Sequence, residues 1–176
     1  MSAPGEVACR WVETDAAFAE AAAVFTRLML LDPAYISHSE IQWGLSPDGL
    51  RWADDAEEQV GGYMQWVRGA AEARMAVATD GAEALLGVAV VTFETDMPGR
   101  FATVQDLVVE PQARGGGVGA RLLGFVQAEA ERQGCRWLFL ESGVRNGRAH
   151  AFFEREGFAP TSHTFAKPLA AGSADR

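Results

Sequence analysis

The sequence predicts an α/β fold, a mixed and mainly antiparallel sheet with helices on both faces. Two apolar runs either side of the turn Asp80-Gly81 read as a hairpin. A third run, Phe101 to Val109, leads through a cluster of glycines into a segment with helical spacing. A short apolar strand and another helix follow it. Antiparallel strands therefore come first and a strand–helix–strand–helix unit second, which is the order of a mixed sheet.

In chain order, Val7 to Val12 reads as a first strand. Thr14 or Asp15 can cap a helix reaching about Leu31, where Asp32-Pro33 ends it. Residues 34–53 show no clear period. They hold Tyr35, His38, Trp43 and Trp52, with Ser46-Pro47-Asp48-Gly49 as a turn signal. Asp54 or Asp55 can cap a second helix to about Ala71, weakened in its middle by Gly61-Gly62. Arg74 to Thr79 and Ala84 to Thr95 form the hairpin, and Met97-Pro98-Gly99 turns the chain into Phe101 to Val109. Val118 to Gln133 places Val118, Leu122, Phe125, Val126 and Ala130 on one helical face, and Gly134 supplies its C-cap. Arg136 to Leu140 is nearly continuous in apolar residues, as in a strand covered on both faces. Ala149 to Arg155 reads as a last helix stopped by Gly157, and Phe165 to Leu169 as a last strand.

The chain has 176 residues, 48% hydrophobic and 22% charged, enough for one domain with a full core and too few for a second. No apolar run reaches the roughly 18 residues that cross a membrane. The most apolar early stretch, Ala21 to Leu31, is interrupted by Arg27 and preceded by acids, unlike a secretory signal. Cys9 and Cys135 have no zinc-type spacing, so two free thiols in a reducing cytoplasm are expected, with no metal site. The net charge of −9 disfavours nucleic acid as a partner. That charge is uneven: residues 1–96 carry 16 acids and 5 bases, and residues 97–176 carry 8 acids and 10 bases. Two faces with different partners would account for the split.

The strand Leu107-Val108-Val109 runs through Glu110 to Arg114 into Gly115, Gly116, Gly117, Val118, Gly119 and Ala120. Without Cβ atoms this turn can present successive N–H groups at a helix N-terminus, where unpaired donors and the helix dipole favour an anion. Arg114 adds a positive charge, so the segment has the chemistry of a pyrophosphate cradle. No Gly-Lys-Ser/Thr follows, which excludes a Walker A loop. A dinucleotide fingerprint formally fits Gly115-x-Gly117-x-x-Ala120 with Glu141 further on. Against it, five residues separate strand and first glycine, and too little chain remains for a doubly wound half.

The segment from Arg114 through Gly117 to Gly119 resembles the Arg/Gln-x-x-Gly-x-Gly/Ala signature of the GNAT superfamily of acyl-CoA N-acyltransferases. A second similarity lies in Asn146-x-x-Ala149-His150-x-Phe152-Phe153-Glu154-x-x-Gly157-Phe158. The specific likeness covers about residues 101–158. It implies one acetyltransferase domain over 1–176, with an acceptor-side strand and helices in 7–72 and an acyl-CoA-binding core in 73–169. It also implies two central parallel strands that splay apart, 101–110 and 136–142, with acetyl-CoA as cofactor in the gap. Backbone groups of Leu107, Val108 and Val109 would pair with the pantetheine arm and steady the oxyanion. Arg114 and the amides of Gly115 to Ala120 would hold the pyrophosphate, with Asn146 and Phe153 flanking the arm.

The implied reaction is direct attack of a primary amine on acetyl-CoA, which calls for a base and an acid. Phe153 stands where the family commonly has an acidic tyrosine, and Gln105 where a carboxylate is common. In a regular strand Asp106 points to the opposite face, and a bulge would re-aim it. Glu141, at the end of the second splayed strand, is the expected catalytic residue, unless Arg145 or Arg148 pairs with it as a surface carboxylate. His150 is read as structural. Residues 32–72 should form the acceptor wall, with Tyr35 and Trp43 against a cationic amine; in the competing reading the tryptophans are core. The net −11 half then coincides with the acceptor wall and the +2 half with the polyanionic cofactor. The alternative to an enzyme is an acyl-CoA-binding module without catalysis, motivated by Phe153 and Gln105. A homodimer is compatible with either.

Overall fold

The computed structural model describes residues 7–96 and 98–169. Its sheet has five strands in the order β1 (Ala8–Trp11), β2 (Ala73–Thr79), β3 (Leu85–Glu94), β4 (Phe101–Val109) and β5 (Trp137–Leu140). The first three pairings are antiparallel, and β4 pairs β5 in parallel. The alternation in β2 and β3 divides the core. Met75, Val77, Val88 and Val90 face α1 (Asp15–Leu30) and α3 (Ala56–Gly69), where they meet Phe25, Leu28, Val60 and Met64. Ala76, Ala78, Ala89 and Val91 face α4 (Val118–Arg132) and meet Leu122 and Val126. Phe25, Leu28, Val60, Leu122 and Val126 are fully buried, each contributing about 1.5–3 kcal/mol relative to an exposed side chain.

Thr14 caps α1 as expected, accepting from the Ala17 N–H at 3.2 Å. Asp55 stands at the N-cap of α3 but its side chain makes no capping bond; its Oδ1 accepts from Gln59 Nε2 at 2.9 Å instead. The stretch without a period, 34–53, is held by local polar groups. Asp32 accepts from the Ala34 N–H, and the short helix α2 (His38–Gln42) opens on a capping box between Ser37 and Glu40. α5 (Gly147–Arg155) begins two residues earlier than its apolar pattern suggests, because Asn146 is its N-cap.

Two features depart from a regular reading. The expected strand at 165–169 does not form: Phe165 is 93% exposed and Leu169 84% exposed, and β5 stays at the edge of the sheet. Pro168 removes a backbone donor from the middle of that segment. Within β4 the register against β3 shifts, since Val90 opposes Asp106 while Val91 opposes Val104. Gln105 is therefore the extra residue of a bulge, and the alternation reverses across it. Ala102 and Val104 face α4, whereas after the bulge it is Leu107 and Val109 that do so, and Val108 joins the α1/α3 side.

Candidate active site

β5 pairs with Phe101 to Val104, so among the described residues β4 runs on to Val109 without a partner on that side. Strand bonding fixes which backbone groups this leaves open. The Glu110 N–H donates to the Leu86 carbonyl at 2.9 Å, so Val108 also bonds toward β3. The N–H and C=O groups of Leu107 and Val109 consequently face the gap. The gap opens into a cavity of about 940 Å³ lined by both splayed strands, the glycine turn, α5 and residues of 35–66.

At one end of this cavity the chain leaves β4 through a single 3-10 turn (Pro111–Ala113) into Arg114 and the glycines. Gly115 and Gly117 have φ of +79° and +81°, which an L side chain rarely adopts. Gly117 is the N-cap of α4 and no side chain caps it, so the first N–H groups of that 15-residue helix stay open to a ligand. A Cβ at Gly119 would lie 3.3 Å from Phe152 Cζ, a close contact between the start of α4 and α5. Arg114 folds back, its Nε donating to the Val109 carbonyl at 3.1 Å, which points the strand's last free acceptor at the guanidinium. Asn146 is buried on the opposite wall. Its Oδ1 accepts from the Ala149 N–H, leaving the amide nitrogen as the donor available to a ligand. Phe153 lines the cavity between Phe152 and Phe158.

Tyr35 lines the cavity beside Arg114; burial raises its hydroxyl, and the charges of Arg114 and Arg148 partly offset the rise. Polar and aromatic residues make up the lining away from the glycines. Trp43 lines the rim and is 71% exposed, whereas Trp52 packs into the α1/α3 core. Glu141 follows β5 directly and pairs with His38 Nδ1 at 2.6 Å, with Ser39 Oγ at 3.5 Å. Neither arginine takes it. Arg145 donates to the carbonyls of Pro33 and Gly49 at 3.2 and 2.8 Å, and Arg148 lies 3.7 Å from Asp32. Gly143 passes so close beneath Ile36 that an added Cβ would fall on its carbonyl. The loop after β5 thus fastens residues 33–50 over the cavity.

The bulge brings in two groups that the sequence pattern does not place together. Asp106 lines the cavity, and its Oδ2 accepts from the Tyr63 hydroxyl on α3 at 2.6 Å. Burial pushes the Asp106 carboxyl up to about 7; the Tyr63 hydrogen bond opposes the rise and the Glu40 carboxylate adds to it. Burial, then Asp106 itself, pushes the Tyr63 hydroxyl far above its ordinary value, so it remains the donor. Gln105 also lines the cavity, its Nε2 donating to Thr92 Oγ1 at 2.9 Å. Tyr63 carried one legible signal: with Val60, Met64 and Val67 it lies at three- and four-residue spacing on the buried side of α3.

A strand opening beside an uncapped glycine-rich helix start defines an acyl-CoA-type cleft. Residues 37–158 match the acetyltransferase (GNAT) family, and the chain belongs to that family. It is 34% identical over 138 residues to the aminoglycoside N(6′)-acetyltransferase type 1 of Stenotrophomonas maltophilia, covering 74% of this chain and 85% of that protein. It is 35% identical over 75 residues to the IAA acetyltransferase of Azospirillum brasilense, 43% of this chain and about half of that relative (48%). Among solved structures, an aminoglycoside N-acetyltransferase in complex with CoA shares the fold with a TM-score of 0.65 and 14% identity, over 97% of this chain and 99% of that one.

Proposed function

We propose that this protein transfers the acetyl group of acetyl-CoA to a primary amine of a small molecule, amino acid or peptide by direct attack. The observation that carries the reading is the opening between β4 and β5, with the Leu107 backbone and the Val109 N–H on one side and the uncapped start of α4 at its end. In this reading the pyrophosphate sits on the amides of Gly115 to Ala120 with Arg114, where the helix dipole and a fixed cation favour an anion. Acetyl-CoA supplies the activated acetyl thioester. A backbone N–H beside the opening steadies the negative charge that develops on the carbonyl oxygen. Asn146 and Phe153 hold the arm from the α5 side.

The acceptor enters past Trp43 and Tyr35, near the carboxylates of Glu40 and Glu141. Aromatic faces and carboxylates together suit a cationic amine, and Glu141, held by His38, meets its ammonium first. The relatives that acetylate aminoglycosides agree with such an acceptor. The test is CoA thiol release with acetyl-CoA and a panel of diamines, aminoglycosides, amino acids and a neutral-tailed amine. Turnover is expected, fastest for the multiply charged amines. Absence of turnover with every class, beside tight CoA binding by calorimetry, would leave the second reading: a CoA-binding module, as Phe153 and Gln105 in the usual acid and base positions would suggest.

A further inference from the structure

We propose that two copies of this chain pair by reciprocal exchange, each laying its residues 161–169 along the free edge of the other's β5. Both halves of such an exchange stand unpartnered in one chain. β5 bonds to β4 on one side, and among the described residues no strand pairs with its other edge. An open strand edge is a template for another strand, and proteins that stay apart guard it with charge, proline or a bulge. The four residues of β5, Trp-Leu-Phe-Leu, supply none of these. Leu138 and Leu140 pack into the core beside α4, whereas Trp137 and Phe139 are 62% and 38% exposed. Their rings stack at 6.1 Å, and Phe139 meets Phe101 edge-on at 5.6 Å, so they form one aromatic surface.

The segment after α5 has the properties of the missing strand. Residues 159–169 are all exposed, and no backbone hydrogen bond joins them to the other described residues. Pro160 and Pro168 bracket seven residues that each keep a backbone N–H, enough to pair with the four of β5. In an extended chain Thr161, His163, Phe165 and Lys167 share one face. Phe165 can therefore stand beside Trp137 and Phe139 as a cross-strand aromatic neighbour.

Charge and area select a second copy as the occupant. At a net charge of −9 two copies repel one another over most of their surface. Residues 159–169 contain no acid and one lysine, so this segment approaches another acidic copy against the least repulsion. Covered at the exposures they show, Trp137, Phe139 and Phe165 of both copies supply about 800 Å². Leu169 and the strand backbones bring the total to about 1,200 Å², where stable pairs begin. The exchange also closes, since each edge is filled and no segment is left over, so assembly stops at two. Phe139 lines the cavity as well, so the paired edge borders the site.

The experiment is sedimentation velocity of the full chain, Phe165→Glu and Trp137→Glu, with circular dichroism to check each fold. Wild type should sediment at twice the chain mass at micromolar concentration, and each variant should raise the dissociation constant about 30-fold or more. Phe165 touches nothing in the single chain's core, so Phe165→Glu still decides the matter if Trp137→Glu fails to fold. Lys167, the only lysine, gives a second readout. A short amine-reactive photo-crosslinker on Lys167, in an equilibrated mixture of light and heavy-isotope chains, should capture the tryptic peptide 137–145 of the other copy. A monomeric wild type would overturn the proposal, as would a dimer that Phe165→Glu leaves intact. Crosslinks from Lys167 confined to its own copy would overturn it too, because the segment would then fold back on its own edge.

Discussion

At Asp106 the folded protein holds a carboxyl near 7, whereas in the unfolded chain that carboxyl returns to near 4. Between those values the folded state binds more protons than the unfolded state, so its stability falls as pH rises. The loss begins above about pH 4, amounts to about 1.4 kcal/mol per pH unit as an upper bound, and levels off once the folded carboxyl ionises near 7. Asp106→Asn removes the titration and retains a partner for the Tyr63 hydroxyl. The stability difference between variant and wild type should therefore shift toward the variant from pH 4 to 7 and stay constant above. Urea unfolding of both proteins across pH 4–8.5 measures this; parallel stability curves would contradict it. A carboxyl destabilised by burial within a cavity is a pairing common at working sites.

At the level of elements, the rim over the cavity depends on one glycine. A Cβ at Gly143 would collide with the Ile36 carbonyl and come within 3.1 Å of the Ala34 carbonyl. These are backbone atoms that cannot swing away like a flexible side chain. Gly143→Ala is expected to lift residues 33–42 from the loop after β5 at a cost of about 1–3 kcal/mol. The amine KM should then rise while CoA affinity, set at the other end of the cavity, stays unchanged; thermal unfolding, calorimetry and initial rates together check the split. Elements such as this rim also mark where the residue pattern was silent. Strands β2 to β4 and helices α1, α3 and α4 were legible because each repeats apolar residues at its own period and is bounded by Thr14, Asp55 or the glycines. The rim has no period because it is held by the Ser37–Glu40 capping box, Arg145 on distant carbonyls and Gly143, all but the first contributed by the far end of the chain. The bulge at Gln105 was open in the sequence only as a possibility, since a polar residue in a strand does not announce an extra position. The strand expected at 165–169 is a five-residue segment interrupted by Pro168, and it pairs with none of the five strands.

For the whole molecule, residues from the acidic and the basic parts of the chain meet in one cavity: Glu40 from the first 96 residues lines it together with Arg114, Arg148 and Arg155, and further acids of that part lie on α1, α3 and their flanks. In the acetyl-transfer reading the acidic part would draw a cationic amine toward the opening. Attraction over such distances is screened once the Debye length falls to a few ångströms, from about 10 Å at 0.1 M salt to about 3 Å at 1 M. Raising NaCl from 0.05 to 0.5 M should therefore increase the KM of a di- or tricationic amine several-fold and leave kcat nearly unchanged, because charge steering acts on encounter and not on the bound state. The same increase in salt should move the KM of a monocationic amine less. Initial rates for both amines at saturating acetyl-CoA give the comparison; equal salt dependence would place the acidic half outside acceptor recognition and confine that role to the few carboxylates in the cavity itself.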